Sequence, residues 1–294
     1  MNTRKKILWW IVAAVSVVLM VWGGVRLISY FSDLASSRRT TEELREIAVV
    51  PDKTGAMTAA PESTSSTVTE TTSSKETPEV SAADVAGTGE VSAVSGKLPA
   101  VEYPNGYEMV ARIKELRKKS EYIIGWITMD DLDEPVVHKD NTFFLDHDAM
   151  GKKNGNGAIF MDQNANLLTR PYTILLYGHN MKTGAMFGNL RKYEDPSYCL
   201  KHRLLQFDTL YEEGKYEIFA VETISLTPGK AKFLDLNALQ SSDRNSRKGA
   251  VTSLKNGSKY QSLAEVTEED QILLLITCVG DDDERLVVAA KRME

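Results

Sequence analysis

The chain has only two cysteines, Cys199 and Cys278, among 294 residues. So few exclude a disulfide-built scaffold and a cysteine-cluster zinc site. The four histidines, at 138, 147, 179 and 202, show no His-x-x-x-His or comparable ligand spacing, so neither a metal nor another cofactor is expected. There is no basic excess, the net charge being -6, and nothing in that balance favours nucleic acid. No internal repeat is evident. Two further absences divide the chain: Ile7 to Val25 holds no charged residue, and the stretch from Pro51 to Pro99 holds almost no large apolar one.

The uncharged stretch follows Arg4, Lys5 and Lys6. Its length matches the roughly 20 apolar residues that cross a hydrocarbon core and exceeds the apolar part of a cleaved signal, about 7–15 residues. Trp9, Trp10 and Trp22 lie near its ends, where interfacial anchors sit. An uncleaved anchor is expected, with a cytoplasmic N-terminus and the rest of the chain outside the cell, because basic flanks stay inside. Glu42 to Val50 reads as a possible short helix. The Ser, Thr, Ala, Glu and Gly that follow cannot bury enough surface to offset their ordering entropy, so this part reads as a tether. The expected division is a cytoplasmic N-terminus at 1–6, a transmembrane anchor at 7–28, an extracellular disordered Ser/Thr-rich linker at 29–102 and a folded domain at 103–294.

Within that domain Met109, Ile113 and Leu116 recur at helical spacing. Short apolar runs bounded by turn residues then predict strands at 122–128, 134–138, 157–161, 172–177, 203–208, 215–221, 271–278 and 285–291. The polar stretch 228–269 predicts one or two surface helices. About eight short strands with few helices predict a closed or nearly closed β-barrel, which removes exposed edges.

Gln271-Ile-Leu-Leu-Leu-Ile-Thr-Cys278 places a thiol at the end of one strand, and Arg285 opens the next after a polar turn. His179 follows the strand ending at Tyr177, which sets its imidazole at a barrel rim. These three suit acyl transfer. A thiolate attacks, an imidazole exchanges protons with the leaving and entering amines, and a permanently charged guanidinium steadies an oxyanion. The alternative is an inert core cysteine, since free Cys packs as a small hydrophobe. A Cys199–Cys278 bridge would also silence the thiol. His138, His147 and His202 read as structural or solvated.

Tyr177-Gly-His-Asn-Met-Lys-Thr-Gly-Ala-Met-Phe-Gly-Asn-Leu190, Ile276-Thr-Cys278 and Arg285 resemble class B sortases, membrane-anchored cysteine transpeptidases of Gram-positive bacteria. Gly125-Trp-Ile127, Pro135-Val-Val137, Lys139-Asp-Asn141 and Gly157-Ala-Ile-Phe160 follow the same pattern in the same order. The resemblance spans roughly Ile113 to Lys291. It implies a mainly β fold, an eight-stranded sortase barrel with an N-terminal helix and additional surface helices. It also implies His179, Cys278 and Arg285 as catalytic residues, with Thr277 and Asn180 as substrate contacts.

The implied reaction cleaves a C-terminal sorting pentapeptide of secreted proteins after Thr, holds a thioacyl-enzyme and transfers the acyl group to an amine of peptidoglycan or its lipid-linked precursor. No metal is needed for it. One departure stands out: Leu274 occupies the position where the family often has Thr, in Thr-Leu-x-Thr-Cys. A pilin polymerase with a lysine acceptor and a non-catalytic surface-binding barrel remain as alternatives.

Overall fold

The computed structural model describes residues 3–48, 107–166, 168–262, 264–278 and 284–293. Most of the expected linker, and residues 279–283 of the polar turn before Arg285, lie outside the described residues. The folded domain begins with a short helix, α2 (Ala111–Arg117), which buries Ile113 and Leu116 as its spacing predicts. Eight strands follow: β1 (Ile123–Met129), β2 (Leu132–Val137), β3 (Ile159–Met161), β4 (Thr173–Tyr177), β5 (Leu204–Asp208), β6 (Lys215–Ser225), β7 (Ile272–Cys278) and β8 (Glu284–Arg292). They close a barrel in the order β1-β2-β3-β4-β7-β8-β6-β5, with β5 pairing back to β1.

The apolar runs of β4 and β7 have a structural cause: both faces are covered, so alternation is lost. Leu273 and Leu275 of β7 fill the barrel interior with Trp126, Val136, Phe207 and Ile218. Ile272, Leu274 and Ile276 pack outward in a second cluster with Leu239, Val251 and Leu254. That outer layer comes from α4 (Leu236–Leu239) and α5 (Arg244–Gly257), the surface helices predicted between 228 and 269. Asp243 caps α5 by accepting from the Ser246 N–H at 2.8 Å, and Arg247, Ala250, Val251 and Leu254 form its buried stripe. A further helix, α3 (Pro196–Lys201), is capped by Asp195. It carries Cys199, a fully buried thiol in no disulfide, so the bridge to Cys278 is absent. Burial pushes that thiol up to about 12.

The N-terminal helix α1 (Thr3–Ala48) is long and apolar enough to cross a membrane in its first part. It runs on past Ile28, where the linker was expected to begin, and docks on the barrel. Leu34, Ser37, Thr41 and Leu44 are buried at 3-4-3 spacing, a narrow stripe along one helix face. Thr41 Oγ1 donates to Glu134 Oε2 at 2.7 Å. Arg45 Nε and Nη2 reach Asp133 Oδ2 at 2.6 Å and the Asp133 carbonyl at 3.0 Å. Burying the two leucines contributes about 1.5–3 kcal/mol each. Residues 29–48 are therefore helix, not linker.

Candidate active site

β4 and β7 run parallel, with Tyr177 opposite Ile276. Both strands reach the rim together, and the chain continues two residues further to His179 and to Cys278. The Gly178 N–H donates to the Ile276 carbonyl at 3.3 Å, which extends the pairing by one residue. On the other side of β7, Cys278 is the antiparallel partner of Arg285 in β8, a pairing that sets Cα atoms about 5 Å apart. Three neighbouring strands thus present the backbone positions of His179, Cys278 and Arg285 at one mouth of the barrel.

The segment around His179 is fixed on both sides. Gly178 has no room for a side chain, because an added Cβ would stand 2.8 Å from the Phe187 ring. Phe187, fully buried, returns its N–H to the His179 carbonyl at 3.0 Å. Asn180 bridges to Met186, and the turn between them uses Gly184 at φ +82, a conformation glycine adopts without penalty. The string from Tyr177 to Leu190 is therefore a folded hairpin-like loop whose glycines and phenylalanine set the histidine's place.

The imidazole is half-buried, and its Nε2 lies 2.6 Å from the Leu145 carbonyl oxygen. A carbonyl only accepts, so Nε2 carries the hydrogen and Nδ1 is left as the basic nitrogen of the neutral ring. Leu145 ends a 3-10 turn, Phe143–Leu145. Asp140 organises that turn, its Oδ1 accepting from the N–H groups of Thr142 and Phe143 at 2.9 and 2.8 Å. The Thr142 hydroxyl, with those two N–H groups, holds the Asp140 carboxyl down at about 2. A main-chain carbonyl leaves no mark in sequence, which is why Leu145 was not among the expected residues.

Arg285 Nη1 donates to the adjacent Glu284 carbonyl at 2.9 Å. Thr277 is buried, and its Oγ1 finds no hydrogen-bond partner among the described residues. An unmet buried hydroxyl costs about 1–3 kcal/mol. Asn180 is half-buried on the loop beside His179. The other three histidines lie elsewhere in the fold. His138 sits just after β2, the His147 ring stacks on Phe143 at 4.0 Å between centroids, and His202 stacks on Tyr198 at 4.2 Å. Among the described residues, no group of three or more His, Cys, Asp or Glu is placed to hold a metal ion.

Comparison with known proteins gives one consistent answer. A profile for the sortase domain matches residues 127–293. Sortase B of Listeria monocytogenes is 32% identical over 206 residues, covering 68% of this chain and 80% of the relative. Among solved structures, a sortase B from Bacillus anthracis in complex with AAEK1 superposes with a TM-score of 0.57 at 32% identity, over 67% of this chain and 90% of that one. A Staphylococcus aureus sortase B–substrate complex gives 0.57 at 25% identity, over 64% and 87%. The barrel order, the histidine loop at the end of β4 and a profile match across more than half of the residues agree, and the chain belongs to the sortase family, in its class B.

Proposed function

We propose that this sortase is a cysteine transpeptidase with Cys278 as nucleophile, His179 as proton carrier and Arg285 as oxyanion support. What supports this reading is the register, because parallel β4/β7 and antiparallel β7/β8 pairing bring those three positions to one rim. The Cys278 thiolate attacks the carbonyl of the Thr in a sorting peptide, forming a C–S bond and a tetrahedral oxyanion beside the Arg285 guanidinium. The C–N bond then breaks, and protonated His179 gives its proton to the departing amine. The resulting thioester is attacked by a second amine, which returns a proton to His179 and releases the thiolate. Water in place of that amine gives hydrolysis.

Thr277, whose buried hydroxyl has no partner among the described residues, and Asn180, on the histidine loop, are the residues we assign to substrate contact. The substrates are secreted proteins carrying a sorting pentapeptide, and the acceptor is an amine of peptidoglycan or of its lipid-linked precursor. The basic residues Arg4, Lys5 and Lys6 ahead of the apolar part of α1 support an N-terminus in the cytoplasm and a catalytic domain outside. The stretch after Ala48 serves as the connecting linker.

The test is mass analysis of the protein incubated with a sorting-peptide library. The expected result is an acyl adduct on Cys278 that hydroxylamine discharges and that Cys278→Ala does not form. An adduct in that variant, or none in the parent protein, overturns the assignment. Transfer to a lysine peptide but to no cell-wall amine would turn the reading toward pilin joining.

A further inference from the structure

The docked end of α1 lies against the segment that supports His179. The Asp33 carbonyl accepts from Asn154 Nδ2 at 2.9 Å, and Asp33 Oδ2 accepts from the Gly155 N–H at 3.1 Å. Ser37 Oγ donates to Asn154 Oδ1 and accepts from Asn156 Nδ2, both at 3.2 Å. Ser37, Asn154 and Asn156 are buried, so the two Ser37 bonds are shielded from competing water and count for more than surface contacts. One face of the helix thus clasps the Asn154–Gly157 turn.

That turn in turn packs on the residues that aim the imidazole. The Asn154 N–H donates to the Asp146 carbonyl at 2.9 Å, and the Ala158 N–H donates to the Phe144 carbonyl at 3.0 Å. Gly157 adopts φ +64, and a Cβ added to it would stand 2.4 Å from the Phe144 oxygen, 3.0 Å from the Leu145 oxygen and 3.1 Å from His179 Cδ2. The turn and the 143–145 segment are therefore in backbone contact, and the Leu145 carbonyl between them holds Nε2 of His179. The contacts run without a gap from the helix that leaves the membrane to the ring.

We propose that residues 33–37 of α1 are a positioning element for His179, holding the Asn154–Gly157 turn and through it the Leu145 carbonyl that orients the imidazole. This rests on the role given to His179 above. Docking of α1 then sets catalytic competence, and releasing it loosens the tautomer and aim of the ring. The expected signature is a fall in kcat with KM little changed, because a proton carrier that is misplaced penalises the chemical step.

The experiment uses the full chain in nanodiscs with 15N-labelled histidine. Asp33→Ala/Ser37→Ala should lower kcat roughly tenfold, leave KM within about twofold, and replace the single Nε2–H signal of the neutral His179 ring with a mixture of tautomers. Asp33→Asn, which keeps an acceptor for the Gly155 N–H, should restore both readouts. If amide exchange shows the double variant's α1 released while kcat and the imidazole signal stay at parental values, the proposal is overturned. Should the double variant not fold, Ser37→Ala alone carries the same two readouts at about threefold in kcat. The imidazole signal is read without turnover, so a parent protein that forms no acyl adduct would strike the transpeptidase reading while the tautomer still decides this one.

Discussion

The two mouths of the barrel hold their polar side chains differently. At the mouth where β4 and β7 begin, a cleft of about 420 Å³ is lined by Arg170, Tyr172, Asp270, Gln271 and Arg292. Its two guanidinium groups share a carboxylate: Arg170 and Arg292 both reach the buried Glu212 at 3.1 Å. Arg292 also donates to Gln271 Oε1 at 3.3 Å and the Glu213 carbonyl at 2.7 Å. At the mouth where the same strands end, His179 and Arg285 bond to the main-chain carbonyls of Leu145 and Glu284. A carboxylate neutralises the cation it holds, whereas the Leu145 carbonyl orients the His179 ring without taking its proton. The first arrangement stabilises the closed barrel, and the second orients two of the residues to which the proposal above gives the chemistry.

The contrast is tested most strongly by removing the sulfur. Cys278→Ala should lower peptide cleavage by at least about a thousandfold with the melting temperature preserved, read from a fluorogenic sorting peptide. Arg285→Ala should lower kcat by about 10²–10³, the usual loss of an oxyanion donor, and Arg285→Lys should not restore it, since an ammonium lacks the planar fork.

The reverse outcome is expected at the far mouth. Arg292→Met should leave turnover unchanged and cost about 2 kcal/mol in denaturant unfolding, because Glu212 loses one of two cationic partners. An Arg292→Met protein with parental stability and impaired kcat would collapse the distinction.

The smallest effect belongs to the flank between the mouths. Glu134 is half-buried as a residue, but its carboxyl lies beneath α1. Burial there pushes it from an ordinary 4.5 up to about 7, with the Thr41 hydrogen bond offsetting only part. A carboxyl raised on folding contributes stability that is complete below its unfolded value of 4.5 and is lost as pH rises through the folded value near 7. Melting of the full chain should therefore weaken from about pH 5 to about pH 8, and Glu134→Gln should flatten that slope. Turnover by the near mouth, measured alongside, separates this stability effect from chemistry.

Much of this was readable from the chain alone. The eight strands follow from short apolar runs between turn residues, and the runs in β4 and β7 are continuous because each is covered on two faces. That positions 179, 278 and 285 fall at strand ends was legible from the runs that stop at Tyr177 and Cys278 and start at Arg285, and the pairing brings those ends to one rim. The docked part of α1 was not legible, since Ser37 and Thr41 give its buried stripe too little hydrophobic contrast with a Ser/Thr-rich tether. Leu145 was hidden for a different reason: its contribution is a peptide oxygen, common to every residue type. The parallel pairing of β2 with β3 also escaped notice, because local pattern does not report strand direction.

Because β4 and β7 run side by side in the same direction, they need a long excursion between them, and β5, β6 and the three small helices are all threaded through it. Positions roughly a hundred residues apart must meet before the rim exists, and such distant contacts form late. A chain with its last two strands unpaired therefore has not yet brought positions 179 and 278 together. On the assignment proposed above, the topology is an interlock: the rim is complete only when the whole domain has closed.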